Sequence, residues 1–320
     1  MDTISSVEIH LSLHICQVIL IDNRNTFNPY INLAIEEFLI RQANCDIDDY
    51  LFLYINDPCI VLGKNQSIYK EINFDYLRNN ELQLCRRISG GGTVYQDKGN
   101  LNFAFISQFS EHKINNYKLF NKPVVNALIK AGIPAEMDAR NNIICKGKKI
   151  SGNAQFTNRK NIISHGTLLF DANLPVLRSC LKQNDFSVES KAVSSVKSSV
   201  ANSKEYTDTF SSIYDVRYYL AEELLAIETY SFTDVEWATI VQSATEKFSS
   251  YAWIYGRTPT TYIKKNDLQI TVNDGKIEHI TSSLSNDVNT TLIGVEYSYQ
   301  HIKKALSNVP NASQLLELIF

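Results

Sequence analysis

RRISGGGTVYQD, residues 86–97, is the stretch that decides how this chain is read. Three consecutive glycines, Gly90, Gly91 and Gly92, follow an apolar and basic strand. Without side chains to shield them, their N–H groups can form a nest for an anion. Arg86 and Arg87 stand just ahead with permanently charged forks suited to phosphate or carboxylate. No Gly-Lys-Ser/Thr follows, so this is not a Walker loop, and the dinucleotide GxGxxG spacing is also missing. A bare glycine triplet equally suits a flexible hairpin turn. The rest of the chain favours a site: nine of its twelve glycines lie between Gly63 and Gly166. Glycine so concentrated marks sharp turns or close approach of backbone to a ligand.

Outward from that loop, three further stretches carry polar chemistry. In KGKKISGNAQ (146–155), strand alternation puts Lys149 and Ser151 on one face and Ile150 on the other. Lys149 beside Ile-Ser-Gly suits a compact cation next to a reacting phosphate; a solvated hairpin lysine fits the same residues. In IISHGTLLF (162–170), His165 is either a ligand or base, or a strand histidine satisfied within the fold. Ala139-Arg140-Asn141-Asn142 precedes the lysine hairpin and reads on its own as a polar turn.

The surrounding pattern predicts a mixed α/β domain. CQVILID (16–22) reads as a strand. Asn28 can cap and Pro29 can open a helix whose apolar residues Ile31, Ile35, Phe38 and Leu39 recur at helical spacing. Strands are expected at 51–56, 59–62, 82–88, 101–107, 142–145, 148–155 and 162–170, with a helix over 115–131 ended by Gly132 and Pro134. The serine-rich stretch 187–212 reads as a long surface excursion. Helices follow near 212–227 and 233–248. YAWIYGRTP (251–259) then opens a short β-β-α tail, which places a domain boundary near residue 250: 1–249, then 250–320.

Composition sets the class. Hydrophobic residues make up 44% and charged residues 20%, as in soluble globular proteins. A net charge of −3 offers no broad basic field, which argues against nucleic acid as a partner. The six cysteines, Cys16, Cys45, Cys59, Cys85, Cys145 and Cys180, lack metal-ligand spacing and sit mostly in apolar runs, so reduced core thiols in a cytoplasmic protein are expected. The N-terminus has no basic start with a small-residue cleavage site, and Ile15 to Ile21 is too short to span a bilayer; no membrane association is expected.

Taken in order, NPYINLAIEEFLI (28–40), LGKNQS (62–67), the glycine loop, the Arg-Asn-Asn turn, KISG (149–152) and HGTLLF (165–170) resemble the lipoate–protein ligase family. A fainter likeness continues through Trp253-Ile254-Tyr255-Gly256-Arg257-Thr258-Pro259 and Gly275-Lys276-Ile277 to that family's accessory domain. The resemblance implies a biotin-ligase-like mixed β-sheet catalytic domain flanked by helices, with a small C-terminal α/β accessory domain. It implies activation of lipoate by ATP with Mg2+ to lipoyl-AMP, then transfer to a lysine of an acceptor. The implied acceptors are apo lipoyl domains of 2-oxoacid dehydrogenase acyltransferase subunits and the glycine-cleavage H protein.

By position, Lys149 matches the family's essential lysine, which touches both α-phosphate and lipoyl carbonyl. Arg87, Gly92, Thr93, Val94 and Tyr95 match its adenylate-binding loop. Ser89, Gly90, Gly91, Asn141 and Asn142 complete the implied nucleotide site. Lipoate is expected against Lys149, Gly91, Gly92 and His165; metal ligands are not implied. The chain departs from the family pattern in three places. Gln96 stands where histidine is common, Asn142 replaces an aspartate, and Lys197 and Ser199 occupy places where arginines are frequent. A lipoyl or octanoyl transferase of the same fold is the near rival, but 133–142 (IPAEMDARNN) carries no nucleophilic thiol and Cys145 sits inside the hairpin strand. The Gly-Arg-Gly-Arg-x-Gly-Arg loop of biotin ligases is missing. From another class, a non-catalytic lipoate-binding protein would keep the same fold.

Overall fold

The computed structural model describes residues 18–80, 82–181, 186–226, 228–282 and 286–320. Its centre is a six-stranded mixed sheet in the order Asn153–Thr157, Asn161–Leu169, Asn100–Gln108, Asp49–Tyr54, Val18–Asp22, Glu228–Ser231. The first four strands are antiparallel neighbours, and Val18–Asp22 pairs parallel on both sides. The expected helix forms as Pro29–Gln42, opened as its sequence dictates: Asn28 Oδ1 accepts from the N–H groups of Tyr30 and Ile31. Its Leu33, Ile35, Leu39 and Ile40 pack on one sheet face against Phe52, Ala104, Ile106 and Ile163. Helix Tyr117–Lys130 covers the opposite face, setting Val124 and Leu128 against Leu51, Leu53, Leu101 and Phe103. Burying each such side chain stabilises the domain by about 1.5–3 kcal/mol before entropy is counted.

Two small sheets position the polar residues. In one, Cys59–Leu62 lies between Gln83–Arg86, parallel to it, and Val94–Gln96, antiparallel to it. The glycine loop therefore has to arch over the central strand to join its two neighbours. In the other, Ile143–Cys145 pairs with Ala135–Met137 and with Lys148–Ser151, the lysine hairpin, which carries a bulge at Ile143/Ile144.

Two expectations need correcting. The stretch 187–212 lies largely at the surface, as expected, but it is paired and not a loose excursion. Ser187–Ser190 adds a fourth strand to the C-terminal sheet of Thr261–Lys265, Leu268–Asn273 and Lys276–Thr281. Further on, the Lys149 N–H donates to the carbonyl of Ser199 and the Ala201 N–H donates to the carbonyl of Lys149, at 2.8 and 3.1 Å. The tail is also richer than β-β-α, with three strands followed by helices Asn286–Leu292, Tyr299–Ala305 and Ala312–Ile319.

Arg86 differs from its expected anion-binding role as well. Fully buried, it donates to the carbonyls of Gly63, Gln66 and Ile254, at 2.6–2.9 Å, and to Thr258 Oγ1 at 3.1 Å. It is a clamp between the 62–67 turn and the YAWIYGRTP segment. Replacing it by methionine leaves the buried carbonyls of Gln66 and Ile254 without a donor, at about 1–3 kcal/mol each, while that of Gly63 keeps the Gln66 N–H at 3.2 Å. We expect Arg86→Met to lose about 2 kcal/mol or more of stability in urea denaturation; a loss below about 1 kcal/mol would show that Arg86 is not a clamp.

Candidate active site

The glycine loop is tied down by Arg87. Its Nη2 donates to the carbonyls of Gly90 and Gly92, at 2.6 and 2.8 Å, its Nε to Ser89 Oγ at 3.0 Å, and its Nη1 to the carbonyl of Val61 at 3.3 Å. A fixed fork that gathers loop carbonyls leaves the loop amides for something else. Among the described residues nothing accepts from the N–H groups of Gly90, Gly91 or Gly92. The Thr93 N–H is taken by Ser195 Oγ at 2.9 Å, a hydroxyl that also accepts from Gln66 Nε2 at 3.0 Å. Gly91, at φ +89°, is where the turn needs a residue without Cβ.

Ser89 is anchored from below. Its Oγ meets His165 Nε2 at 2.6 Å, and His165 Nδ1 meets the Glu36 carboxylate at 2.8 Å; Tyr54 Oη also donates to Glu36, at 3.0 Å. Both ring nitrogens of His165 are therefore engaged, which is the satisfied strand histidine and not a free base. One polar column thus joins the first helix, the main sheet and the glycine loop.

Two adjoining cavities open along this loop. The first, of about 320 Å³, is lined by Arg87, Gly91, Gly92, Thr93, Val94, Asn142, Lys149 and His165 among the residues singled out above, with apolar Leu33, Val61 and Ala154. The second, of about 580 Å³, is lined by Thr93, Val94, Tyr95 and Lys149, with Leu169, Leu177, Leu181 and Val200. Lys149 lies where the two meet. Burial, helped by the Arg87 guanidinium, holds its ammonium below the usual lysine pKa, and Asp138 pulls it back up. A cation already stripped of water this way interacts strongly with an incoming anion.

Other expected residues have different surroundings. Ser89, Gly90 and Asn141 line neither cavity. Asn141 takes a left-handed φ of 63°, and its carbonyl accepts from Asn121 and Asn153. Asn142 reaches the first cavity, but its Nδ2 is held by Asp138 Oδ2 at 2.8 Å. Glu36, Glu71, Gln66 and Ser195 were not singled out from the sequence, because the contacts that bring them to the site are long-range, apart from the Gly63 N–H that Gln66 accepts at 2.9 Å. Glu71 accepts from the Ser195 N–H at 3.1 Å.

Five described cysteines are free and buried, as expected, and Cys16 lies outside the described residues. Cys145 lines neither cavity and burial pushes its thiol pKa up, so it is poorly placed to be an acyl-carrying nucleophile.

A Cβ on Gly152 would meet Lys149 Nζ at 2.8 Å. A lysine tip can swing away, so Gly152→Ala should fold normally but displace the ammonium. The expected result is about tenfold lower kcat/KM for acyl activation with an unchanged melting temperature. Full activity would show that this glycine does not set the position of Lys149.

Residues 28–225 match the family model "Lipoyl protein ligase A/B catalytic domain". The chain belongs to the lipoate–protein ligase family. It is 39% identical to the lipoate-protein ligase LplJ of Bacillus subtilis over 82% of this chain and 83% of that protein. It is 33% identical to lipoate–protein ligase 1 of Staphylococcus aureus over 90% and 93%. Among solved structures, a putative lipoate protein ligase from Thermoplasma acidophilum with bound lipoic acid superposes at a TM-score of 0.63, with 26% identity over 75% of this chain and 99% of that one. A lipoate-protein ligase A bound with ATP gives 0.62 at 25% identity over 74% and 97%. As a lipoate–protein ligase family member this chain is an enzyme, and its mixed sheet and helical layers are the fold the resemblance implied. No helix among the described residues is long and apolar enough to cross a membrane.

Proposed function

We propose that this enzyme activates lipoate with ATP, and that Lys149 acts at the reacting centre because it stands at the junction of the two cavities. That single placement carries the reading. The first cavity takes the acyl chain and the second the nucleotide. A carboxylate at one mouth and an α-phosphate at the other then meet beside one ammonium. In the first step a carboxylate oxygen attacks the α-phosphorus and pyrophosphate leaves, giving lipoyl-AMP. In the second, the amine of an acceptor lysine attacks the acyl carbonyl, an amide forms, and AMP leaves with the electron pair. Both steps gather negative charge on phosphoryl or carbonyl oxygen. Lys149, the free amides of Gly91 and Gly92, and the Thr93 N–H once Ser195 withdraws are the groups that can balance it.

His165, Glu36 and Arg87 are positioning residues in this reading, holding the loop in shape. Among the described residues no cluster of three His, Cys, Asp or Glu side chains could hold a metal ion alone. These residues fit a Mg2+ that arrives on the nucleotide phosphates, where it would neutralise phosphate charge. The acceptors fitting this activity are lipoyl domains of 2-oxoacid dehydrogenase acyltransferases and the H protein. A cytoplasmic setting supplies ATP and suits free thiols. Residues 1–249 are assigned to the catalytic domain and 250–320 to an accessory domain in this scheme, with Ser187–Ser190 lent to the accessory sheet. Mass spectrometry of an apo lipoyl domain incubated with the enzyme, ATP and lipoate should show one lipoyl addition that needs ATP. Addition without ATP would point to transfer from a ready-made donor.

A further inference from the structure

Behind the first cavity runs a chain of buried amides with a fixed direction. Asn23 Nδ2 donates to the carbonyl of Thr26 at 2.9 Å and to Asn32 Oδ1 at 3.0 Å. A main-chain carbonyl only accepts, so the Asn23 amide can face it in one way. Asn32 Nδ2 then donates to Asn56 Oδ1 at 2.7 Å, and Asn56 Nδ2 to Gln96 Oε1 at 2.6 Å. All four side chains are buried. The polarity set at Thr26 is thereby passed on to Gln96, which must present its Nε2 to the cavity it lines. Among the described residues nothing accepts from that Nε2. Gln96, like Tyr54 and Asn102, lines the first cavity and not the second, whereas Thr93, Val94 and Lys149 line both, which sets Gln96 apart from the stretch the two cavities share.

We infer that Gln96 Nε2 is a specificity-determining donor for the far end of the acyl chain, selecting a chain that ends in an acceptor over a plain hydrocarbon. The inference rests on the ligase reading, in which the acceptor is a dithiolane sulfur and the disfavoured chain is octanoate. Sulfur accepts weakly. The larger part of the selection comes from octanoate, whose methyl end would leave a dry, immobile N–H without any partner. Unlike a histidine, glutamine cannot titrate, so this donor stays in place over the physiological pH range.

The test is kcat/KM for lipoate and for octanoate in ATP-dependent pyrophosphate release, in the wild type, Gln96→Met and Gln96→His. The wild type should prefer lipoate. Gln96→Met, similar in length but without a donor, should lower the lipoate-to-octanoate ratio about five- to tenfold. Gln96→His should keep the preference, since one ring nitrogen can accept from Asn56 while the other donates into the cavity. An unchanged ratio in Gln96→Met overturns the inference. If that variant does not fold, the wild-type ratio decides: preference for lipoate supports the inference and preference for octanoate overturns it. Wild-type enzyme releasing pyrophosphate with neither acid would instead sink the ligase reading beneath it.

Discussion

Lys149→Ala should leave a folded protein whose adenylation rate is lower by about 10²–10³-fold, the scale for removing one preorganised charged donor. The side chain makes none of the hydrogen bonds or ion pairs found among the described residues, so its loss breaks none of them. Its strand is held by backbone bonds to Ser199 and Ala201 and by buried Ile150 and Ser151, all of which survive the substitution. The deficit should fall on kcat for pyrophosphate release in the first step and on acyl transfer from added lipoyl-AMP in the second, because both steps charge an oxygen beside the same ammonium. A variant impaired in the first step alone would confine Lys149 to phosphoryl chemistry. Normal turnover by folded protein would remove it from the reacting centre.

Gly63→Ala is expected to be nearly as damaging by a different route. A Cβ at Gly63 would fall on the carbonyl oxygen of Gly91, well inside contact distance, and the atoms in conflict are backbone on both sides. Neither can yield as a side-chain tip can. The Gly63 carbonyl is held by Arg86, and the Gly91 turn lies between the Gly90 and Gly92 carbonyls that Arg87 holds. The loop must shift, at a cost of about 1–3 kcal/mol for overpacking. A displacement near 1 Å at a site of this kind lowers activity about 10²-fold. Thermal unfolding together with steady-state kinetics checks both effects. Wild-type melting and activity would mean the loop is softer than its arginine ties suggest.

Gly63 and Lys149 show what the sequence could and could not reveal. The glycine triplet and the Lys-Ile-Ser-Gly strand were legible because their chemistry is local: missing side chains and strand alternation. The helix at Pro29 was legible for the same reason, since its cap and periodicity lie within a few positions. Arg86 was read as an anion ligand because nothing nearby reveals that its partners include Ile254 and Thr258, 168 and 172 residues away. The stretch 187–212 looked like a plain excursion because what orders it lies far off in sequence: backbone pairing, Ser195, the Asn202 amide on Ala172, and Phe210 against Phe170. Ser195 accepts from Thr93 and Gln66 while donating its amide to Glu71, and none of these contacts has a period. His165 could be read either as a ligand or as a satisfied histidine; its contacts with Glu36 and Ser89 engage both ring nitrogens, and it also lines the first cavity. The amide chain from Asn23 to Gln96 spans four separate segments and leaves no mark in any of them.

The central claim is that acyl chain and nucleotide come from two cavities to one lysine. A crystal structure with a non-hydrolysable lipoyl-adenylate analogue tests it most directly. Lys149 Nζ should lie about 3 Å from the linkage between acyl group and phosphate mimic, with the dithiolane near Gln96 and the nucleoside against Tyr95 and Leu177. An analogue bound with its linkage away from Lys149, or with both halves in one cavity, would contradict it.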